Sequence, residues 1–408
     1  MSTKISPLAP KIINSVDLID GINVSITHCG LKKNNKEDLV LIKLDLPGDI
    51  VGAFTNSKTP GEPIIWNKSI IKYGKVSAIL INSGNANVFN GKSGRKSLMK
   101  IVQTLEKKLQ IPKKEIYIAS TGVIGEPLDE HKIIRKIPYL ISNLKNDHDS
   151  WLLAAKAIMT TDTYPKIYSE KILENKNIVI NSIAKGSGMI APNMATMLAF
   201  IFTNAQFEKK LFKKRFYDIV DRTFNSSTVD GDTSTSDMAL FVSVKSSSKK
   251  LANSKESKIF FYSLEKVMTL LSDYIVRDGE GASKFIKIHI NGAKNQSDAK
   301  NVGRSIANSP LFKTAMAGSD ANWGRIIMAI GKSNAKIIPS KLSIRFGKYE
   351  LLRKGEKLIS INLKSIDKYL TNREIQISVD LGIGNSSWAI KTCDFTNKYI
   401  SINTDYRS

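Results

Sequence analysis

Lys185-Gly186-Ser187-Gly188-Met189-Ile190-Ala191-Pro192-Asn193-Met194-Ala195-Thr196 runs straight into Met197-Leu198-Ala199-Phe200-Ile201-Phe202-Thr203. The first part carries glycines and a proline and little secondary-structure signal. The second is an unbroken apolar run of strand length. A loop therefore delivers Thr196 to the mouth of a buried strand. A strand end is rigid, and the small Ala195 leaves its carbonyl open to the Thr196 hydroxyl. If that hydroxyl cuts the chain, Thr196 gains a free α-amine, whose reference pKa of about 7.7–8.0 lets it act as base for its own nucleophile. By residue type alone, the reading that prevails for Thr196 is a β-branched residue opening a strand.

Working outward, the 408 residues with 42% hydrophobic content suffice for a substantial core and two domains or one large one. The N-terminus lacks an apolar signal region, and no run approaches the roughly 18 apolar residues of a membrane span. Cys29 and Cys393 stand far apart, in no metal-ligand or disulfide pattern. The expectation is a cytoplasmic protein with no metal, no cofactor and no membrane contact.

A net charge of +24 raises nucleic acid as a partner. Arg, the residue suited to phosphate forks, supplies only 11 of the 61 basic residues, and the lysines are dispersed in small clusters. No nucleic-acid motif accompanies them. The charge reads as solvated surface, with a positive field that would concentrate anionic substrates.

Residues 23 to 85 read as short strands and turns, and Asn82-Ser83-Gly84-Asn85-Ala86-Asn87 as a tight loop. A helix is expected from about 94 to 109. The strand-like Ile116-Tyr117-Ile118-Ala119 then leads to Thr121-Gly122, where glycine permits close approach to the backbone and a turn can aim N–H groups at an oxyanion. Amphipathic spacing predicts one helix over 129 to 145, with Ile133, Ile134, Ile137 and Leu140 on one side, and a second over 151 to 159 that closes at Thr160-Thr161-Asp162-Thr163. Helices follow over 207 to 225 and 255 to 277. Lys185 has Ala184 and Gly186 beside it rather than other charges, which favours burial. Asp230-Gly231-Asp232 lacks the glutamate of a calcium loop and reads as a structural turn. Glu280 sits between two glycines whose backbone can bend around a ligand. Phe285 to Ile290 alternates as a half-buried strand with Lys287 and His289 on one face. Strands are expected near 340 to 363 and 374 to 380, and Ser401 to Ser408 as a fraying polar tail. His289 is thus a strand-face residue, and the other histidines, His28, His131 and His148, lie outside these motifs, so a Ser-His-Asp arrangement has no obvious candidates.

The stretch 185 to 196 resembles the self-cleavage motif of the ornithine acetyltransferase family. Ile81 to Asn87, Ala119 to Gly125, Met159 to Thr163, Val229 to Thr235, Asp278 to Ala282, Ser305 to Pro310, Asn322 to Arg325 and the tail from Cys393 are similar to further family motifs, in the family's order. Lys391 departs from that pattern, where a neutral residue is expected. The resemblance implies an α/β protein with a layered α/β/β/α core and a smaller C-terminal α/β part from about 285. It implies cleavage between Ala195 and Thr196 into an α-chain of 1–195 and a β-chain of 196–408, assembled as α2β2. In that scheme Thr196 is the nucleophile, and Thr121 and Gly122 form the oxyanion hole. Thr160, Lys185, Glu280, Asn403 and Ser408 then contact substrate.

The implied reaction is ping-pong transfer of acetyl from N2-acetylornithine to glutamate, with acetyl-CoA as a further candidate donor. The alternative within the same architecture is an aminopeptidase or amidase that passes the acyl group to water. An alternative outside enzymology, a basic polyanion-binding protein, would show salt-sensitive nucleic-acid retention.

Overall fold

Leu198–Thr203, the apolar run after the glycine-rich stretch, is a strand buried at every residue, and it lies inside a sheet of eight strands. The computed structural model describes residues 4–12, 16–33, 35–173, 176–191, 197–206, 209–246, 248–251, 253–358 and 362–404. The candidates Ala195, Thr196 and Ser408 lie outside the described residues.

The first elements in chain order are β1 (Ile22–Thr27), β2 (Leu39–Phe54), α1 (Glu62–Ile70), β3 (Lys75–Asn85), α2 (Gly91–Leu109), β4 (Ile116–Val123), α3 (Glu130–Ile134), α4 (Ile137–Ser142), α5 (His148–Ala157), β5 (Lys166–Ile172) and β6 (Ile178–Lys185). Next come β7 (Leu198–Thr203), β8 (Ala205–Gln206), α6 (Lys209–Arg222), β9 (Met238–Ser243), β10 (Lys249–Lys250) and α7 (Ser254–Arg277). The eight-stranded sheet runs β4-β3-β2-β9-β7-β6-β5, with β1 on β2.

Alternation along β7 feeds two cores. Leu198, Phe200 and Phe202 join residues of β1 to β4 and of the helices α1 to α5. Trp151 of α5 lies 5.4 Å from Phe202, ring to ring. Ala199 and Ile201 face the other way, into the core beneath α6 and α7 with Phe212, Phe216, Phe241 and Phe260. Helices thus cover both faces, the layered α/β organisation expected. Each Leu, Ile or Phe side chain withdrawn from water in this way contributes about 1.5–3 kcal/mol. In α7 the buried Phe260, Leu264, Val267, Met268, Leu271 and Ile275 recur at helical spacing, and the Asn253 side chain caps its first turn.

Register brings the strand ends together. Lys185 pairs opposite Leu198, and Leu198 lies beside Met238 in the parallel pair β7–β9. In the parallel pair β3–β4, Ser83 is beside Thr121 and Gly84 beside Gly122.

The rest of the chain forms β11 (Phe285–Ala293), α8 (Gln296–Ala307), α9 (Pro310–Ala317), α10 (Gly324–Gly331), β12 (Ser343–Phe346), β13 (Tyr349–Arg353), β14 (Glu356–Lys357), α11 (Leu363–Leu370), β15 (Glu374–Asp380), β16 (Ser386–Cys393) and α12 (Asn397–Thr404). The strands make a six-stranded sheet, β14-β13-β12-β15-β11-β16. Ile286, Ile288 and Ile290 of β11 enter its separate core, while Lys287 and His289 share the opposite, half-buried face.

The structure corrects five local expectations. The strand-and-turn region holds a helix, α1, with a proline in its first turn. The helix expected over 129 to 145 is two short ones, α3 and α4, and Pro138 lies in the first turn of the second. β3 continues through Asn85, so most of the expected Asn82–Asn87 loop is strand. The strands expected as far as 363 end at Lys357, and a helix starts at Leu363. The tail is helical as far as Thr404. The unexpected Lys391 is buried and forms an ion pair with Asp273.

Candidate functional site

Thr121 ends the buried part of β4, and its Oγ1 accepts a hydrogen bond of 3.3 Å from Lys185 Nζ at the end of β6. Both side chains are buried. With one lone pair of Thr121 engaged, its own O–H is left to donate elsewhere. Gly122 has φ +132°, and a Cβ there would meet the Gly84 carbonyl carbon at 2.3 Å. Only glycine fits where β3 and β4 run out together.

Burial lowers the pKa of Lys185, and the charge of Lys166 adds to that; Asp162, Asp237 and Glu280 oppose it. Among the described residues Lys185 Nζ makes one hydrogen bond, to Thr121 Oγ1, which leaves it suited to an incoming carboxylate.

Below these residues sits an ion triad that the sequence reading did not single out. Lys166 Nζ lies 2.6 Å from Asp162 Oδ1 and 2.6 Å from Asp278 Oδ2, and the three side chains are fully buried. Burial pulls the Lys166 pKa down, but the two carboxylates outweigh it and raise it. Burial likewise pushes Asp162 up, yet Lys166 and Lys185 hold it below the usual carboxylate range. Asp278 ends up raised, by burial first, with Asp162 adding and Lys166 opposing.

The triad is a junction of segments. Asp162 accepts from the Thr160 N–H at 3.0 Å and the Gly186 N–H at 2.6 Å. Asp278 accepts from the Thr163 N–H at 2.9 Å. The hydroxyls of Thr161 and Ser187 meet at 2.8 Å, and the Glu280 N–H donates to the Ser187 carbonyl at 3.0 Å. The loop after α5, the turn after β6 and the turn after α7 are thereby fixed to one another.

Glu280 is buried. Its carboxylate lies against Gly188, where a Cβ would stand 2.4 Å from Glu280 Oε1. On its other side Glu280 Oε2 accepts from Asn403 Nδ2 at 2.7 Å. Helix α12 is anchored for this: Thr396 Oγ1 donates to the Gly281 carbonyl at 2.7 Å, and Asp394 accepts from the Ser283 and Lys284 N–H groups at 2.8 and 2.9 Å.

Gly122, Thr160, Thr161 and Glu280 share the wall of one cavity of about 1250 Å³. Lys32 and Lys132 lie on the same wall. Thr121, Lys185 and Asn403 touch members of that wall or lie behind it. Of the sequence-predicted positions, the structure thus gathers Thr121, Gly122, Thr160, Lys185, Glu280 and Asn403 in one region, while Thr196 and Ser408 fall outside the described residues. The residues passed over were Lys166, Asp162 and Asp278. The two aspartates lie inside motifs quoted for other members, whereas Lys166 opens a strand with no local signal.

Among the described residues no group of three or more His, Cys, Asp or Glu side chains could hold a metal ion, and no helix is long and apolar enough to cross a membrane.

The ArgJ family model matches residues 23–408. The chain is 41% identical to the arginine biosynthesis bifunctional protein ArgJ of Mesorhizobium japonicum and 40% identical to that of Brucella suis, with 100% of both chains covered in each case. Among solved structures, the crystal structure of ArgJ from Bacillus halodurans is 36% identical and matches with a TM-score of 0.49, covering 51% of this chain and 99% of that one.

Proposed function

The chain belongs to the ArgJ family, acyltransferases of arginine biosynthesis, and from that membership we propose that it moves the acetyl group of N2-acetylornithine to glutamate through an acetyl ester on Thr196. In this reading the precursor cuts itself between Ala195 and Thr196, and the chains 1–195 and 196–408 stay together as α2β2 in the cytoplasm.

The Thr196 hydroxyl adds to the acetyl carbonyl while its α-amine takes the proton. The oxyanion is met by the Thr121 hydroxyl and the Gly122 N–H. Collapse expels ornithine, whose amine takes the proton back. The α-amine of glutamate then attacks the ester and leaves as N-acetylglutamate. Lys185 pairs with the substrate α-carboxylate and Glu280 with the side-chain ammonium of ornithine. Thr160, Asn403 and Ser408 line the same substrate, and no metal or cofactor enters.

The observation that supports this most is the pairing of Lys185 with Thr121 beside the cavity wall that carries Gly122, Thr160 and Glu280. With the roles proposed, the oxyanion donor and the carboxylate partner stand behind the wall that carries the ammonium partner. The test is the mass of a trypsin peptide beginning at Thr196 after mixing with acetylornithine alone. An added acetyl group that glutamate removes supports the reading. A full-length chain in active wild-type protein, or full activity in Thr196→Ala, overturns it. Free acetate without N-acetylglutamate would make the enzyme a hydrolase instead, and activity with acetyl-CoA alone would establish the second donor.

A further inference from the structure

The two amino acids of the proposed exchange share an α-carboxylate but end in opposite charges, an ammonium on ornithine and a carboxylate on glutamate. Lys185 and Glu280 answer the α-carboxylate and the ammonium. A glutamate held in the same way would bring its side-chain carboxylate toward Glu280, where like charges repel. It therefore needs a cation elsewhere on the wall. Among the described residues that wall carries Lys4, Lys32, Lys33, Lys132 and Lys398. Lys4, Lys33 and Lys398 are exposed, where solvent and side-chain freedom leave an ion pair worth little.

Lys32 is built in at both ends. The buried Asp38 carboxylate accepts from the N–H groups of Cys29, Gly30, Leu31 and Lys32, at 2.6, 3.1, 2.7 and 2.9 Å. That collar curls the loop after β1 onto the strand ends of the site: Gly84 has φ +102°, and a Cβ there would stand 2.8 Å from the Leu31 carbonyl oxygen. At the far end of the side chain, Lys32 Nζ donates to the Ala157 carbonyl at 2.9 Å and the Glu37 carbonyl at 3.1 Å. The Ala157 carbonyl also accepts from Ser83 Oγ at 2.6 Å, and Ser83 lies beside Thr121 in the β3–β4 pair. The ammonium is thus held at the strand end that carries Thr121 and Gly122. Two of its three N–H groups are spent on carbonyls, and the third is left for a ligand. Burial lowers its pKa to about 8, with Asp38 and Asp162 opposing and Lys36 and Lys185 adding. A carboxylate arriving beside it favours the charged form. Lys132 donates to the Gly30 carbonyl at 3.0 Å and so braces the same loop.

We propose that Lys32 selects glutamate as the acetyl acceptor, its ammonium holding the side-chain carboxylate of glutamate while Glu280 serves ornithine. The inference rests on the proposed acetyl transfer and deepens it. One cavity then takes two side chains of opposite charge in turn, each with its own partner on the wall.

The experiment measures kcat/KM for glutamate and for glutamine, an acceptor of the same shape without the charge, in wild type, Lys32→Met and Lys132→Met, with acetylornithine as donor. Their ratio is the enzyme's discrimination between the two acceptors, and it does not depend on how much of a preparation is folded. Wild type should prefer glutamate, and Lys32→Met should lower the ratio by about 10- to 150-fold, the range of a charge-assisted hydrogen bond. In a ping-pong reaction kcat/KM for acetylornithine belongs to the other half, so it should fall far less than kcat/KM for glutamate. Lys132→Met should keep the ratio. An unchanged ratio in Lys32→Met, equal loss for acetylornithine and glutamate, a wild type indifferent to the two acceptors, or a collapse in Lys132→Met alone overturns the assignment. A wild type that passes acetyl from acetylornithine to neither acceptor overturns the proposed function itself, so the two failures are told apart.

Discussion

Asn403 Nδ2 donates a 2.7 Å hydrogen bond to Glu280 Oε2, across 123 residues of sequence. The bond joins α12 to the turn after α7, and so ties the C-terminal segment to a buried carboxylate on the cavity wall. It also fixes which way Glu280 points, because Gly188 closes the other side.

If Glu280 pairs with the ornithine ammonium, Glu280→Gln should raise KM for acetylornithine with little change in kcat. A charge-assisted hydrogen bond is worth about 1.5–3 kcal/mol, which corresponds to roughly 10- to 150-fold. Asn403→Ala, which leaves the charge in place but frees its direction, should give a smaller rise. Steady-state kinetics with acetylornithine varied at fixed glutamate measure both, and an unchanged KM in Glu280→Gln would remove Glu280 from the binding of this substrate.

Thr121 is tested by the opposite split. Its hydroxyl accepts from Lys185, and an oxyanion donor acts only when negative charge develops. Thr121→Val should lower kcat by about 10²–10³ and leave KM nearly alone. Thr121→Ser keeps the hydroxyl and should recover most of the rate. A KM effect without a kcat effect would place Thr121 in ground-state binding.

Much of this region is legible in the sequence because its parts sit in short glycine- and hydroxyl-rich motifs, each at the end of a strand or helix. Thr121-Gly122, Lys185-Gly186 and Glu280-Gly281 are punctuation that any reading stops at. What joins them is not local. Lys166 opens β5 with nothing to distinguish it from the other lysines, and its two carboxylates come from a loop four residues upstream and a helix end 112 residues downstream. A single sequence carries no term for that pairing. The split of the expected 129–145 helix has the same origin in reverse. Apolar spacing continues through Ile133, Ile137 and Leu140, but the turn at Lys136 before Pro138 breaks the hydrogen-bond ladder, and spacing alone does not register it.

Stability of the segment leading to the expected cleavage point should depend on pH through Asp230. Its carboxylate accepts from the Met189 N–H at 2.6 Å and the Ile190 N–H at 2.9 Å. Burial pushes its pKa up to about 6, against those hydrogen bonds. An unfolded aspartate titrates near 3.9, so between about pH 4 and 6 the folded chain binds the proton that the unfolded chain has released. Stability from this group is fully present below the unfolded value and is lost as pH rises through the folded one, by roughly 3 kcal/mol for a shift of about two pH units. Asp230→Asn carries no charge at any of these pH values and should lack that component. Urea unfolding midpoints of wild type and Asp230→Asn, measured from pH 4 to 7, should therefore converge as pH rises if the variant starts lower, with wild type falling relative to Asn across the window. Parallel curves would show that Asp230 does not titrate there in the folded chain.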